Sequence, residues 1–193
     1  MHLRSALAAA VAVAASPALA HTGIGSTTGF VHGFGHPIGG PDHVLAMVAV
    51  GLLAAQIGGR AVWLVPAAFM GLMAAGAALG MAGTALPAVE IAIGLSIVIL
   101  GLAVAAAPRL PLIGAMLMVG AFAIFHGHAH GAEMPDDGAG ATYGAGFMVA
   151  TGLLHAIGVG LGLGVGRFAS PTLVRVAGGG VAFAGLALLA RLA

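Results

Sequence analysis

The sequence predicts an all-α, polytopic integral membrane protein with six transmembrane helices that follow a cleavable signal peptide. Three observations predict this fold class. Of the 193 residues, 61% are hydrophobic and only 6% are charged, whereas a soluble domain usually carries about 25% charged residues. The mean hydropathy is +1.14. The apolar residues also form long runs separated by glycine, proline and arginine, which is typical of membrane-spanning helices and their connections.

Residues 1–20 have the features of a secretory signal peptide. Arg4 supplies a positively charged start, residues 6–15 form an apolar run too short to span a bilayer, and the segment ends in a small-x-small cleavage site. Cleavage there would make His21 the first residue of the mature chain. Residues 21–193 would then form a single domain of six transmembrane helices. The alternative is an uncleaved first helix.

After the signal peptide the chain divides into six apolar segments, and about 20 residues are needed to cross about 30 Å of hydrocarbon. The first segment is short unless residues 23–36 add a helical or re-entrant piece before Pro37. Helices are favoured over open sheet because backbone N–H and C=O groups in lipid must form their hydrogen bonds within the protein. The predicted segments are 40–58, 61–82, 86–106, 110–128, 142–166 and 171–191.

The arginines predict how these helices are oriented, because basic residues concentrate in cytoplasmic connections. With the N-terminus outside, four arginines fall on the cytoplasmic side: Arg60, Arg109, Arg167 and Arg175. Only Arg191, near the C-terminus, falls outside. We therefore expect a multi-pass protein of the bacterial inner membrane with both termini in the periplasm. The 34 glycines would serve close helix contacts.

The composition also excludes several function classes. The chain has no cysteine, which rules out disulfides and thiolate metal sites. It has no lysine and therefore no phosphate loop for a nucleotide. A net charge of +1 provides no basic surface for nucleic acid. An intramembrane metalloenzyme is a rival interpretation, but the H-E-x-x-H motif with its general base is missing, so we do not expect an enzyme.

The scarce ionisable residues are clustered, although each costs about 2.5–3.5 kcal/mol to place in a membrane. In the first cluster, His32 and His36 lie at positions i and i+4 and would share one helix face. Pro37 is expected to end that helix, and a second proline four residues later can begin another. Asp42 and His43 would then lie in the first turn of the new helix, where an acid suits the helix dipole.

A second cluster lies at the end of the fourth segment. If this helix continues to Pro135, then His126, His130 and Glu133 fall at i, i+4 and i+7 on one face, and His128 points elsewhere. His128 is either a residue that collects cations at the outer surface or an ordinary helix cap.

Two further polar residues lie outside the clusters, and a third, His21, is a candidate ligand only if the signal peptide is cleaved. Glu90 lies about one turn into the third segment, and His155 lies near the middle of the fifth. Since both clusters are placed at external helix ends, these residues would mark a route from outside towards the membrane centre. After cleavage, His21 could chelate a cation through its free amine and its ring.

Imidazole and carboxylate groups without thiolate suit a divalent first-row ion such as Ni, Co, Zn, Cu(II) or Fe. The nine methionines are scattered through apolar segments and fit core packing better than a Cu(I) site. One alternative is that the histidines cap helix ends and bond carbonyl groups, and that His155 bonds a neighbouring helix. The residues alone therefore indicate a divalent metal that arrives from outside, and they leave homo-oligomerisation open.

Three motifs resemble the HupE/UreJ family of nickel permeases, and the likeness extends over the whole mature chain. The motifs are His36-Pro37-x-x-Gly40-x-Asp42-His43-x-Leu45-Ala46-Met47, Phe125-His126-Gly127-x-Ala129-His130-Gly131-x-Glu133 and Leu154-His155-Ala156-x-Gly158. The resemblance implies inward passage of Ni²⁺ that supplies hydrogenase or urease maturation. It also implies importance for His36, Asp42, His43, Glu90, His130, Glu133 and the aromatic Phe69.

On this basis we expect Ni²⁺ as a substrate rather than a cofactor, with the metal ion and the lipid bilayer as partners. The candidate first ligands are His36, Asp42, His43, His126, His130 and Glu133. Glu90 and His155 would relay the ion inward. Secondary metal or gating candidates are His32, His128, His21 and Phe69. Transport of another divalent metal, or metal binding without conduction by an accessory protein, are the alternatives.

Overall fold

The computed structural model describes residues 29–107, 110–134, 140–168 and 170–192. These residues form seven α-helices and contain no strand. The predicted signal peptide and His21 lie outside the described residues. The helices are α1 (Phe30–Gly39), α2 (Pro41–Ile57), α3 (Ala61–Met81), α4 (Val89–Ala106), α5 (Leu112–Ala132), α6 (Gly140–Phe168) and α7 (Pro171–Leu189).

The helices confirm the predicted class of a multi-pass, all-helical membrane protein. The five helices from α3 to α7 are each long and apolar enough to cross a membrane. Helices α1 and α2 pass the same test only as a pair, and they meet at an angle of 83°. The described residues therefore contain five spans, or six if the bent pair is counted as one.

The prediction that Pro37 ends the first helix is wrong. Helix α1 continues through Pro37 to Gly39, because an internal proline removes one backbone donor and need not stop a helix. The break is caused by Pro41, whose ring disfavours helical backbone at the residue before it. Gly40 is accordingly extended, with φ −92° and ψ 111°. Pro41 then begins α2. Proline suits this position because the first N–H groups of a helix have no acceptor within the helix, so the absent N–H costs no hydrogen bond.

Glycines allow α3 and α5 to pack at very short range. A Cβ atom at Gly127 would overlap the carbonyl of Met73, and one at Gly131 would overlap the carbonyl of Ala77. Small residues spaced by four are typical of close helix pairs in membranes. Helix α2 packs against α6, and α4 packs against α7. This packing fixes the rotation of α5 and therefore the direction of its histidines.

The two ends of the bundle differ in their polar groups. Arg60 is exposed between α2 and α3, and Arg175 Nε donates to the carbonyl of Ala105 at 2.7 Å, which joins the start of α7 to the end of α4. At the opposite end, His128 Nε2 donates to the carbonyl of Thr84 at 2.6 Å, which joins the end of α5 to the α3–α4 connection. We call the latter the histidine end.

Candidate metal centre

Three potential metal ligands converge at the histidine end. A nitrogen of His36, a nitrogen of His130 and a carboxylate oxygen of Glu133 all lie within 4.8 Å of one another. We call these residues the outer group. Both imidazoles are half-buried and the carboxylate is exposed, so the group is accessible from outside the bundle. Two imidazoles and a carboxylate can bind a divalent first-row ion and leave coordination positions for water.

The outer group forms because α1 is folded back against α6. A Cβ atom at Gly33 would overlap the carbonyl of Tyr143, so the two helices touch one turn before His36. The ring centroid of His36 then lies 5.0 Å from that of His130. Glu133 directly follows α5 and keeps near-helical backbone, with φ −94° and ψ −4°. It therefore remains close to the face that carries His130.

Two buried imidazoles extend the outer group into the bundle. The ring centroid of His43 lies 5.3 Å from His130 and 5.6 Å from His126. His43 and His126 are each 1% exposed, and we call them the inner pair. Since His126 precedes His130 by one helical turn, α5 supplies a ring to both levels. His126 and His130 therefore share a face, as predicted. The expected continuation of this helix to Pro135 is wrong, because α5 ends at Ala132 and Glu133 is its C-cap.

Phe69 lies between the inner pair and His155. Its ring centroid is 5.8 Å from that of His126 and 5.2 Å from that of His155. The side chain is fully buried. The sequence provided no physical role for Phe69, and the structure shows that it connects two buried histidines. The rings form a continuous series from His36 to His155 in which successive centroids are 5.0–5.8 Å apart.

His155 is buried in the interior of the bundle. It is 1% exposed, and neither ring nitrogen has a hydrogen-bond partner among the described residues. The alternative that His155 bonds a neighbouring helix therefore finds no partner in this part of the chain. Buried polar groups are nearly always satisfied by protein or by ordered water. An imidazole in this state is suited to a water molecule or a cation.

Two hydroxyl groups contact the inner pair, and sequence reasoning missed both. Ser96 Oγ lies 2.9 Å from His126 Nε2, and Thr151 Oγ1 lies 3.2 Å from His43 Nε2. Both hydroxyl side chains are fully buried. The available signal was a hydroxyl residue inside an apolar helix, where a polar side chain usually bonds across the helix contact.

Two aromatic residues of α6 border the imidazoles, and these were also missed. The ring centroid of Phe147 lies 4.5 Å from His130 and 5.1 Å from His43. The ring centroid of Tyr143 lies 6.0 Å from His36. Tyr143 is the single tyrosine of the chain, which was a signal that could have been used. These rings shield one side of the imidazoles from water.

The other predicted site residues do not join the outer group. His32 is exposed on α1, and Glu90 is exposed in the first turn of α4. His128 directs Nε2 to a backbone carbonyl of the α3–α4 connection. Asp42 is half-buried in the first turn of α2.

A cavity of about 190 Å³ adjoins the outer group. His130, Tyr143 and Phe147 contribute to its lining. The rest of the lining is alanine, glycine and four methionines, which are Met73, Met81, Met134 and Met148. The cavity provides space beside His130 but few groups that could bind a hydrated ion.

Known proteins that resemble this chain identify its family. The family model described as HupE / UreJ protein matches residues 9–188. The chain belongs to the HupE/UreJ family. It is also 48% identical over 186 residues to Protein HupE of Rhizobium leguminosarum bv. viciae, which covers 96% of this chain and 97% of the relative. No solved structure matches the chain. The outer group, the inner pair, Phe69 and His155 all lie within the part that matches the HupE/UreJ family.

Proposed function

We propose that this HupE/UreJ protein is a nickel permease that moves Ni²⁺ from the periplasm to the cytoplasm. The ion would bind first at the outer group, pass the inner pair and Phe69, and reach His155. Hydrogenase or urease maturation would use the nickel, as the family resemblance implies. The protein would lie in the bacterial inner membrane with its histidine end towards the periplasm.

The observation that supports this proposal is the series of rings that begins at the outer group. The outer group combines the ligand types that a borderline divalent ion prefers, and ligand atoms within 4.8 Å of one another can share one ion. Its open side leaves room for water ligands. A channel or carrier site must bind weakly enough to release its ion, and an incomplete ligand set meets this requirement.

The membrane potential would supply the driving force without a nucleotide. An inside-negative potential of about 100 mV favours inward movement by about 2.3 kcal/mol per charge, and thus by about 4.6 kcal/mol for a divalent ion. Because about 1.4 kcal/mol corresponds to a factor of ten, this equals an accumulation of roughly 10³-fold at balance.

The direct test is ⁶³Ni²⁺ uptake by the full chain in proteoliposomes under an imposed potassium diffusion potential. His130→Gln should lower uptake at least about tenfold, since even loss of an outer partner of a metal ligand costs 10–100-fold. His128→Gln is the matched control, because glutamine can still donate to the carbonyl of Thr84. Equal uptake by the two variants and the unmodified protein would contradict the proposed site.

The same assay separates the two alternatives from the proposal. Competition by Co²⁺, Zn²⁺ and Fe²⁺ measures which ion is preferred, and stronger uptake of one of these would replace nickel as the substrate. A metal-binding accessory protein that does not conduct would retain ⁶³Ni²⁺ in proportion to protein and independently of the potential. Accumulation that rises with the potential excludes that alternative.

A further inference from the structure

Ser96 makes two contacts that together decide the direction of one hydrogen bond. Its Oγ donates to the carbonyl of Ile93 at 2.6 Å, and the same Oγ lies 2.9 Å from His126 Nε2. A hydroxyl group has a single hydrogen, and a carbonyl can only accept. The hydrogen between Ser96 and His126 must therefore come from the imidazole, so that Nε2–H donates to Oγ.

This direction determines the tautomer of His126. A neutral imidazole that carries its hydrogen on Nε2 has its lone pair on Nδ1. His126 Nδ1 is buried and has no hydrogen-bond partner among the described residues. The ring is 1% exposed and contacts both His43 and Phe69. The free lone pair therefore lies in the interior of the bundle rather than at its surface.

We propose that Ser96 is a positioning residue, which holds His126 in the Nε2–H tautomer so that Nδ1 binds the passing cation. The inference rests on the proposed function, because it assumes that a cation reaches the inner pair. Metal-bound histidines in proteins commonly donate their second N–H to an oxygen, which fixes the tautomer and raises ligand basicity. Ser96 Oγ is such an oxygen.

A hydroxyl group also contacts the second member of the inner pair. Thr151 Oγ1 lies 3.2 Å from His43 Nε2, and His43 Nδ1 is buried without a hydrogen-bond partner in the described part of the chain. A hydroxyl group from a neighbouring helix thus contacts Nε2 of each inner imidazole. Only the Ser96 hydroxyl also donates to a carbonyl, so the tautomer argument applies to His126.

The test compares Ser96→Ala, Ser96→Thr and Ser96→Val in the full chain reconstituted in lipid. ¹⁵N spectra of histidine-labelled, metal-free protein report which nitrogen of His126 is protonated, with His126→Gln to assign the signal. Threonine and valine have nearly the same shape, so any packing effect is shared and the hydroxyl is the difference. Ni²⁺ affinity is measured separately by equilibrium binding of ⁶³Ni²⁺.

Ser96→Ala and Ser96→Val should move part of the His126 population to the Nδ1–H tautomer and weaken Ni²⁺ binding about 10–100-fold. Ser96→Thr should keep the original tautomer and bind more tightly than Ser96→Val. An unchanged tautomer in Ser96→Ala overturns the proposal, and so does a shifted tautomer with unchanged Ni²⁺ affinity. If the unmodified protein binds Ni²⁺ but fails to accumulate it, the permease proposal fails while the tautomer and affinity results still decide the role of Ser96.

Discussion

His130 contacts both levels of the series of imidazoles. Its ring is adjacent to His36 of the outer group and to His43 of the inner pair, and Phe147 covers one of its sides. His128 lies two residues earlier on the same helix and has a different role, since its Nε2 donates to a backbone carbonyl. The position of a histidine around the helix therefore decides its role. His130 faces the other imidazoles and is a candidate ligand, whereas His128 faces the α3–α4 connection and is structural.

Phe69 should affect passage of the ion more than its first binding. The ring touches His126 and His155 and does not belong to the outer group. Phe69→Ala should lower the potential-driven uptake of ⁶³Ni²⁺, because this ring lies between His126 and His155 on the proposed route. Ni²⁺ affinity measured at equilibrium should change much less.

Phe69→Leu serves as the control for loss of volume, because phenylalanine to alanine in a core costs about 3–5 kcal/mol. If Phe69→Leu restores stability but not uptake, the aromatic ring itself is required. An equal loss of affinity and uptake in Phe69→Ala would argue against a role confined to passage.

Ligation by histidine predicts that uptake depends on pH. An ordinary imidazole has a pKa near 6.5, and its protonated form has no lone pair for a metal. Binding is therefore present above this range and is lost as the pH falls, so uptake should decline below about pH 6. Uptake is measured between pH 5 and 8 with the diffusion potential held constant, and a flat profile would count against histidine ligands in the outer group, whose imidazoles are half-buried.

Among the helices, the pair of α3 and α5 decides where the imidazoles of α5 point. In the motif His126-Gly127-x-x-His130-Gly131, the glycines pack against another helix and the histidines face the candidate site. The glycines lie against the backbone of α3, while His126 and His130 both lie next to His43. A helix that packs this closely has little freedom to rotate, because interiors are densely packed.

The close packing of α5 on α3 predicts that Gly127→Ala destabilises the protein. The added Cβ would overlap the carbonyl of Met73, and overpacking typically costs about 1–3 kcal/mol. Gly160→Ala is the matched control, since nothing lies within 4 Å of a Cβ at Gly160 and alanine favours helix by about 0.5–1 kcal/mol. Thermal unfolding in detergent should show a lower Tm for Gly127→Ala only, and equal Tm values would contradict the packing argument.

At the scale of the whole molecule, polar chemistry is divided between the two ends of the bundle. Arg60 and Arg175 lie at one end, and the outer group lies at the other. Basic residues concentrate on the cytoplasmic side, so this division predicts that the outer group faces the periplasm. A cation driven inward by an inside-negative potential would then reach the outer group before it enters the bundle.

Labelling of single cysteines tests this orientation, and the native chain provides a background without cysteine. Thr84→Cys lies at the histidine end and Ser170→Cys at the arginine end, and both replace a hydroxyl with a thiol of similar size. A membrane-impermeant maleimide applied to intact spheroplasts should label Thr84→Cys only. Preferential labelling of Ser170→Cys would reverse the orientation and place the outer group in the cytoplasm.

The amino-acid sequence by itself determined the fold class and the approximate helix boundaries. Long apolar runs without charge can satisfy their backbone only as helices in lipid, and this constraint is local. The i, i+4 spacing of His126 and His130 likewise predicts one face, because helical geometry is fixed. The error at Pro37 concerned which of two prolines breaks the chain. The structure shows that Pro41 is the proline that breaks the chain, because Gly40 directly before it is extended.

Only the tertiary structure decided which residues meet. His36 and His130 are 94 positions apart, and their contact depends on the 83° bend and on the packing of α1 against α6. Ser96, Thr151 and Phe69 reach the imidazoles from three other helices, and no spacing along the chain encodes these contacts. Local periodicity specifies the face of a helix, whereas the neighbour of that face depends on packing across the whole bundle.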